Sequence, residues 1–440
     1  MKNLVCLVVI AALIPAAAQS PTVPSEMTTT IAFTNGLWFN GRSFQKKTGY
    51  SIAGVLSFRR PAQIDSTVDL GGRFVVPPFG EAHNHNVEPL NKIDQLVRRY
   101  LRHGIFYVKD PDNLPRDREH VRPDINRPDS IDVTFSNGGF TAPGGHPAEI
   151  VKRNVDRGLW TEADGDSAFY YAVSSAEELD RKWPEFLATK PDFVKTFLLF
   201  SEDYASRKDD PKYFGWKGLD PALLKAIVQK AHAAALRVST HVESARDFHN
   251  ALMAGVDEIN HTPGFRVTGD VATHRLTEFQ ITESDAKFAA KHGVYVVTTL
   301  AASSQPVPAG KLGERDELNR RNLALLKKYR VKLILGSDSY RGDTVPEALY
   351  IESLHVFSNQ ELLEIWCDKT AKAIFSKRKI GELRDGYEAS FLGLDGNPLE
   401  DFSAVQRISV AVKQGHVLSL NSPLGFLQND RRGPTVDSIP

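Results

Sequence analysis

Cysteine is nearly absent from this chain, with two in 440 residues. So few cannot build the disulfide framework of a small secreted scaffold. An excess of either charge is missing too, since 54 Lys plus Arg face 54 Asp plus Glu. With both signs scattered along the chain, a nucleic-acid groove or an anionic membrane surface is excluded as the main partner. Low-complexity tracts and internal repeats are lacking, which removes solenoids and linkers. A chain that is 41% hydrophobic and 25% charged is not a disordered tail. What remains is a neutral globular protein, large enough for one barrel-sized domain plus a smaller one.

The N-terminus is a separate matter. In MKNLVCLVVIAALIPAAAQS, Lys2 precedes an apolar run over 4–14, and Ala16-Ala17-Ala18 supplies the small-x-small pattern of a processing site. This predicts a signal peptide, residues 1–18, and an exported protein, periplasmic or secreted. The run is shorter than the roughly 20 residues of a spanning helix, and no later stretch reaches that length, so no stable membrane insertion is expected. Cys6 lies too early for a lipid-anchored cysteine. Its removal leaves Cys367 alone, so packing or metal must stabilise the mature chain.

Beyond this leader the rhythm changes twice. Residues 28–79 read as short strands broken by turn signals at Asn35-Gly36, Asn40-Gly41 and Gly71-Gly72. Residues 80–378 alternate short apolar runs, such as IFYVKD (105–110) and VKLILGSD (331–338), with amphipathic stretches such as PALLKAIVQKAHAAA (221–235). Such βα alternation predicts an α/β fold, a (β/α)8 TIM barrel in preference to an open sheet, although periodicity alone does not separate the two. Short strands return over 379–430, and the two flanking β segments are expected to close into one small β-sandwich. The stretch 109–130 carries five Lys or Arg and six Asp or Glu, and reads as a solvated loop or lid.

Several apolar runs end in a metal-competent residue. In VVPPFGEAHNHN, His83 and His85 stand two apart, so on a strand both rings project to one side. An H-x-H pair alone is weak evidence. VSTHVES brings His241, DEINHTPG brings His261 and LILGSDS brings Asp338, each at a predicted strand end. In a parallel barrel these ends converge on one mouth, where active sites are built. Lys195 interrupts the apolar run PDFVKTFLLF. It is either salt-bridged inside the barrel, or desolvated enough to be neutral and to add carbon dioxide as a carbamate.

These residues, in this order, resemble the metal-dependent amidohydrolase superfamily in its binuclear form with a carboxylated lysine. LGGRFVVPPFGEAHNH resembles the passage from sandwich to barrel, HGIFYVKD the second barrel strand, LILGSDS the eighth, and GELRDGYEASFLGLDGNPLED the return to the sandwich. The likeness thus spans nearly the whole mature chain. The signal peptide and TAPGGHP are most similar to the secreted Xaa-Pro dipeptidase and imidazolonepropionase-like branch. Two positions depart from the family pattern: Glu81 replaces the usual aspartate, and Ala389-Ser390 replaces Ala-Asp.

The resemblance implies a small-molecule substrate and two divalent metal ions, Zn²⁺ by preference with Mn²⁺, Fe²⁺ or Co²⁺ as alternatives. One ion would take His83, His85 and Asp338, the other His241 and His261, with carboxylated Lys195 bridging. It implies hydrolysis of an amide-type C–N bond, in a dipeptide, an acylated amino acid or a cyclic amide, with Asp338 shuttling the proton. An esterase, lactonase or phosphotriesterase would use the same centre. A mononuclear deaminase-like enzyme follows if Lys195 is unmodified, and a non-catalytic binding protein would require a lost ligand. His146, in GGFTAPGGHP, is either a catalytic and substrate-binding residue able to donate to an oxyanion, or a loop histidine without a role. Tyr204 is a weaker substrate-binding candidate. Specificity is expected in the loops 109–130, 140–147, 201–218 and 264–280. A homo-oligomer is compatible with the composition.

Overall fold

A computed structural model describes residues 29–88, 92–265, 276–302 and 312–420. The expected signal peptide, with Cys6, the end of the second β segment and part of the loop 264–280 lie outside the described residues. Among the described residues no helix is long and apolar enough to cross a membrane.

The two flanking β segments do fold together. β1 (Thr30–Phe39), β2 (Phe44–Ile52), β3 (Val55–Ser57), β4 (Ser66–Asp69) and β5 (Phe74–Val76) join strands from near the other end of the chain in one eight-stranded sheet. β1 runs antiparallel to β2, but its register shifts between Phe33 and Gly36. Before the shift β1 pairs with β4, and after it with β5. The sheet therefore changes partners there and closes over its own core of Phe33, Trp38, Leu56, Leu70, Val75, Phe391 and Val412. Gly36 is required at this bend, because a Cβ would lie 2.7 Å from both Leu70 and Trp38.

Between these segments the strands are short, buried and parallel. β6 (Phe79–Glu81), β7 (Ile105–Asp110) and β8 (Asp132–Phe135) make a three-stranded sheet. A seven-stranded sheet contains β9 (Gly139–Thr141), β10 (Tyr170–Ala172), β11 (Val194–Phe197), β12 (Val238–His241), β13 (Glu258–Asn260), β14 (Tyr295–Val297) and β15 (Lys332–Ile334), in the order β10-β9-β11-β12-β13-β14-β15. Backbone hydrogen bonds also join the two sheets. Asp192 N donates to Phe135 O at 2.8 Å on one side, and Ala82 N donates to Leu335 O at 2.8 Å on the other.

Helices return the chain between parallel strands, as parallel pairing demands. In the helix Pro221–Ala233, Asp220 caps the Ala222 N–H and Pro occupies the first turn. Leu223, Leu224, Ile227, Val228 and Ala231 then form its buried stripe, where each large aliphatic side chain contributes about 1.5–3 kcal/mol. Ser244 and Asp247 form a capping box on the next helix, Ala245–Ala254, which ends on left-handed Gly255.

The start of the stretch 109–130 differs from its expectation as a solvated loop, whereas its charged residues from Arg116 to Asp129 are exposed or partly exposed. Its charge alternation conceals buried residues, since Lys109, Asp110, Asp112 and Asn113 are all nearly inaccessible, and Pro115–Val121 is helical. Lys109 is instead paired with Glu258 at 2.5 Å inside the strands.

A buried ionic cluster fastens the mixed sheet, completed by β16 (Phe391–Leu394), β17 (Ile408–Lys413) and β18 (His416–Val417), to the parallel strands. Asp132, opening β8, receives Lys413 at 2.7 Å and Arg378 at 2.8 Å. Arg378 also reaches Glu388 at 2.6 Å, and Ser390 donates to the same Glu388 at 2.6 Å while accepting Gln414 N. Ser390, where the family pattern has aspartate, thus keeps a place in the junction through its hydroxyl. Removing one partner leaves buried charge uncompensated. Asp132→Ala is expected to lower the unfolding free energy by about 3–5 kcal/mol in urea titrations, and a loss under about 1 kcal/mol would show the cluster to be solvated.

Candidate metal centre

The ends of β6 and β15 are tied together, and this tie places the first three ligands. Glu81, fully buried, accepts His83 N at 3.2 Å and Ser337 N at 2.9 Å. His83 O in turn accepts Ser337 N at 3.0 Å and Asp338 N at 2.8 Å. Between them Gly336 leaves no room for a side chain, because a Cβ would lie 2.7 Å from that of His83. Glu81 thus braces the backbone of both strand ends.

The three side chains meet at one point. His83 Nε2 lies 3.2 Å from His85 Nε2 and 3.4 Å from Asp338 Oδ1, and His85 Nε2 lies 3.1 Å from the same oxygen. Burial pushes His83 down to about 3 and lowers His85, so both rings are neutral at neutral pH. Against its own burial, His261, His83 and His85 hold the Asp338 carboxyl well below the usual range. Two neutral imidazole nitrogens converging with a carboxylate oxygen make a donor set that suits a divalent cation such as Zn²⁺.

His261 and His241 extend this group. The ring of His261 lies 4.7 Å from that of His83 and 4.5 Å from that of His241, centroid to centroid. The hydroxyl of Thr299 meets His261 Nδ1 at 2.7 Å, and Glu243 meets His241 Nε2 at 3.2 Å, so each ring is held from behind by a neighbour. His261 and Asp338 both have left-handed backbones, φ 75 and 51, which non-glycine residues rarely adopt.

Lys195 lies on β11, opposite Gly139 of β9. That glycine makes space for it, since a Cβ there would be 2.9 Å from Lys195 Cγ. Its Nζ donates to Asn260 Oδ1 at 2.6 Å, and among the described residues no carboxylate lies within ion-pair distance. Burial brings the amine down to about 7, with Asp112 and Asp338 opposing the shift. The salt-bridged alternative therefore has no partner among the described residues, and near pH 7 a substantial share of the lysine is unprotonated.

His146 follows β9, and its ring lies 5.0 Å from that of His241. Its N–H donates to Lys217 O at 2.9 Å, and Nδ1 meets Glu149 Oε1 at 2.5 Å. With His83, His85, Lys195, His241 and Asp338 it lines a single cleft of about 550 Å³, open mouth included. Tyr204, on the short helix Tyr204–Arg207, is not among the residues lining this cleft. Asp112, Glu149, Arg153 and Tyr340 do line it, and sequence reasoning missed them. Asp112 follows a strand end as the ligands do, and Glu149 and Arg153 are four apart on the helix Ala148–Asp156, so both signals were present in the sequence. Tyr340 stacks on His85 at 5.2 Å. Several other histidines serve structure: His103, His232 and His249 pair with Asp343, Asp257 and Asp285.

Comparison with known proteins agrees with this architecture. The model of the amidohydrolase family matches residues 134–418. Ochratoxinase of Aspergillus niger is 26% identical over 246 residues, which is 54% of this chain and 48% of that protein, so the chain matches about half the length of this curated relative. Its crystal structure superposes with a TM-score of 0.68 at 17% identity, covering 88% of this chain and 95% of the other. A Xaa-Pro dipeptidase with methionine bound in its active site gives 0.67 at 17% identity, covering 88% and 99%. An amidohydrolase gives 0.69 at 20% identity, covering 89% and 99%. A family pattern spanning well over half of the residues, on a fold shared by nearly all of them, settles the assignment: the chain belongs to the amidohydrolase family.

Proposed function

We propose that the chain is an exported metal-dependent hydrolase that cleaves an amide-type C–N bond in a small molecule: a dipeptide, an acylated amino acid or a cyclic amide. The observation that carries this reading is the unbroken line of rings His85, His83, His261, His241 and His146 beside one ionised carboxylate and one buried amine. The names of two relatives, ochratoxinase and Xaa-Pro dipeptidase, support it, and the apolar N-terminal segment supports export. In this reading the two parallel sheets are arcs of one closed (β/α)8 barrel, which gathers the strand ends at its mouth.

His83, His85 and Asp338 would hold one cation, and His241 and His261 a second, with Lys195 as its carbamate between them. Bound cations, Zn²⁺ or else Mn²⁺, Fe²⁺ or Co²⁺, supply Lewis acidity that polarises a carbonyl and lowers the pKa of water from 15.7 to roughly 7. Asp338 stays ionised, so it can take the proton of the attacking water and pass it to the leaving nitrogen. His146, held by Glu149 and the Lys217 carbonyl, presents its ring to the carbonyl oxygen of the substrate. Arg153 and Tyr340 stand at the rim, placed to orient the substrate.

Three measurements test this. Elemental analysis of the purified protein is expected to find about two metal ions per chain, and full activity in His241→Ala would sink the reading. Asp338→Asn is expected to reduce kcat by about 10²–10⁴, the usual span for a lost proton shuttle, against a panel of dipeptides and acyl amino acids. Chelation is expected to lower the melting temperature, because a ligand present at 100 times its Kd stabilises the fold by about 2.7 kcal/mol. In Asp338→Asn that chelator effect should shrink, and an equal effect in both proteins would place the stabilising metal elsewhere.

A further inference from the structure

A chain of buried polar groups runs beneath the metal-binding side chains, away from the cleft. Lys195 Nζ donates to Asn260 Oδ1 at 2.6 Å, and Asn260 Nδ2 donates to Glu258 Oε1 at 3.0 Å. The same Glu258 oxygen accepts Lys109 Nζ at 2.5 Å and the Ser239 hydroxyl at 2.8 Å, and that hydroxyl also lies 2.9 Å from Asn260 Oδ1. Lys195, Ser239, Glu258 and Asn260 are no more than 1% exposed and Lys109 is 6% exposed, so a lost partner leaves a buried polar group to be satisfied. Lys109, Ser239 and Glu258 line a second cavity, which contains none of the metal-binding residues and is bordered by Arg237 and Lys377.

We propose that Asn260 is a positioning residue for Lys195, with its amide locked by Glu258 so that only its oxygen can face the lysine nitrogen. The inference rests on the binuclear reading above, in which Lys195 carries a carbamate. Glu258, ion-paired to Lys109, is a carboxylate and can only accept. It therefore takes the amide NH₂ of Asn260, and the amide oxygen is turned to Lys195. An inverted amide would set its oxygen against the Glu258 carboxylate, acceptor against acceptor, and would withdraw the acceptor from the lysine N–H.

The consequence lies in what remains free on the lysine nitrogen. A neutral amine has two N–H bonds and one lone pair. Asn260 engages one N–H, which directs the lone pair away from Asn260. When carbon dioxide adds, the lone pair forms the N–C bond, one C=O π bond opens to a carboxylate oxygen, and one N–H proton leaves to solvent. The other N–H remains on Asn260 Oδ1. Rotation of the planar carbamate is then fixed, and its two oxygens have a set direction. Ser239, donating to Asn260 or Glu258, completes the anchor.

Asn260→Leu removes the acceptor while keeping a side chain of similar size. Protein equilibrated with ¹³C-bicarbonate can be read by ¹³C NMR for the carbamate carbon, and by elemental analysis for bound metal. In Asn260→Leu the carbamate signal is expected to fall about tenfold, the equivalent of one buried hydrogen bond, with loss of one of the two metals. Glu258→Gln, which frees the amide to invert, should lower the signal in the same direction, and it decides the matter if Asn260→Leu does not fold. An unchanged signal in a folded variant, beside a carbamate-bearing parent, overturns the positioning role alone. A parent protein without any carbamate signal overturns the binuclear reading and this inference together.

Discussion

The site depends on one fastening, between the end of β6 and the end of β15. A single buried carboxyl group, that of Glu81, and a single carbonyl, that of His83, receive the backbone N–H groups of both strand ends. It helps to fix the register in which His83 and Asp338, 255 positions apart in sequence, meet. The family pattern has aspartate at this position, and the longer side chain of Glu81 still reaches both partners. The bracing group is not a ligand, yet it determines where two ligands stand.

Desolvation is the second organising force, and it acts in opposite directions on acids and bases. It weakens the hold of His83, His85 and Lys195 on their protons, which makes nitrogen lone pairs available, while neighbouring donors keep Asp338 ionised despite burial. The result is a group in which the His83 and His85 rings are neutral and the Asp338 carboxyl is charged, as a cation-binding centre requires. Deeper in the protein the same low dielectric makes pairing obligatory. Lys109 with Glu258, and Asp132 with Lys413 and Arg378, are charges that persist there only because each has a partner.

Much of this was legible in the sequence where it followed from local pattern. The strand rhythm located β7, β11, β12, β13 and β15, and the apolar stripe located the helix Pro221–Ala233. The strand ends identified His83, His85, His241, His261 and Asp338 as residues that come together. Only the start of the stretch 109–130 was misread, because its alternating charges resemble the solvated surface that follows, whereas Lys109 finds its partner in Glu258, 149 positions away. Glu149 and Arg153 escaped notice because a helix with polar residues on one face looks the same whether that face meets solvent or a cleft. Tyr204 illustrates the converse, for proximity to Lys195 in sequence did not bring it to the cleft wall.

By itself the sequence determined the alternation of elements and the residue types at each strand end, since side-chain periodicity and turn chemistry are local properties of the chain. It also determined that no framework of several disulfides can form, because the chain has two cysteines. Only the tertiary structure decided that Lys195 faces a neutral amide and not a carboxylate, that Glu81 spans two strands, and that Asn260 is held in one orientation. Those outcomes depend on partners tens to hundreds of residues apart and on the removal of water between them, and neither quantity is written in any short stretch of sequence.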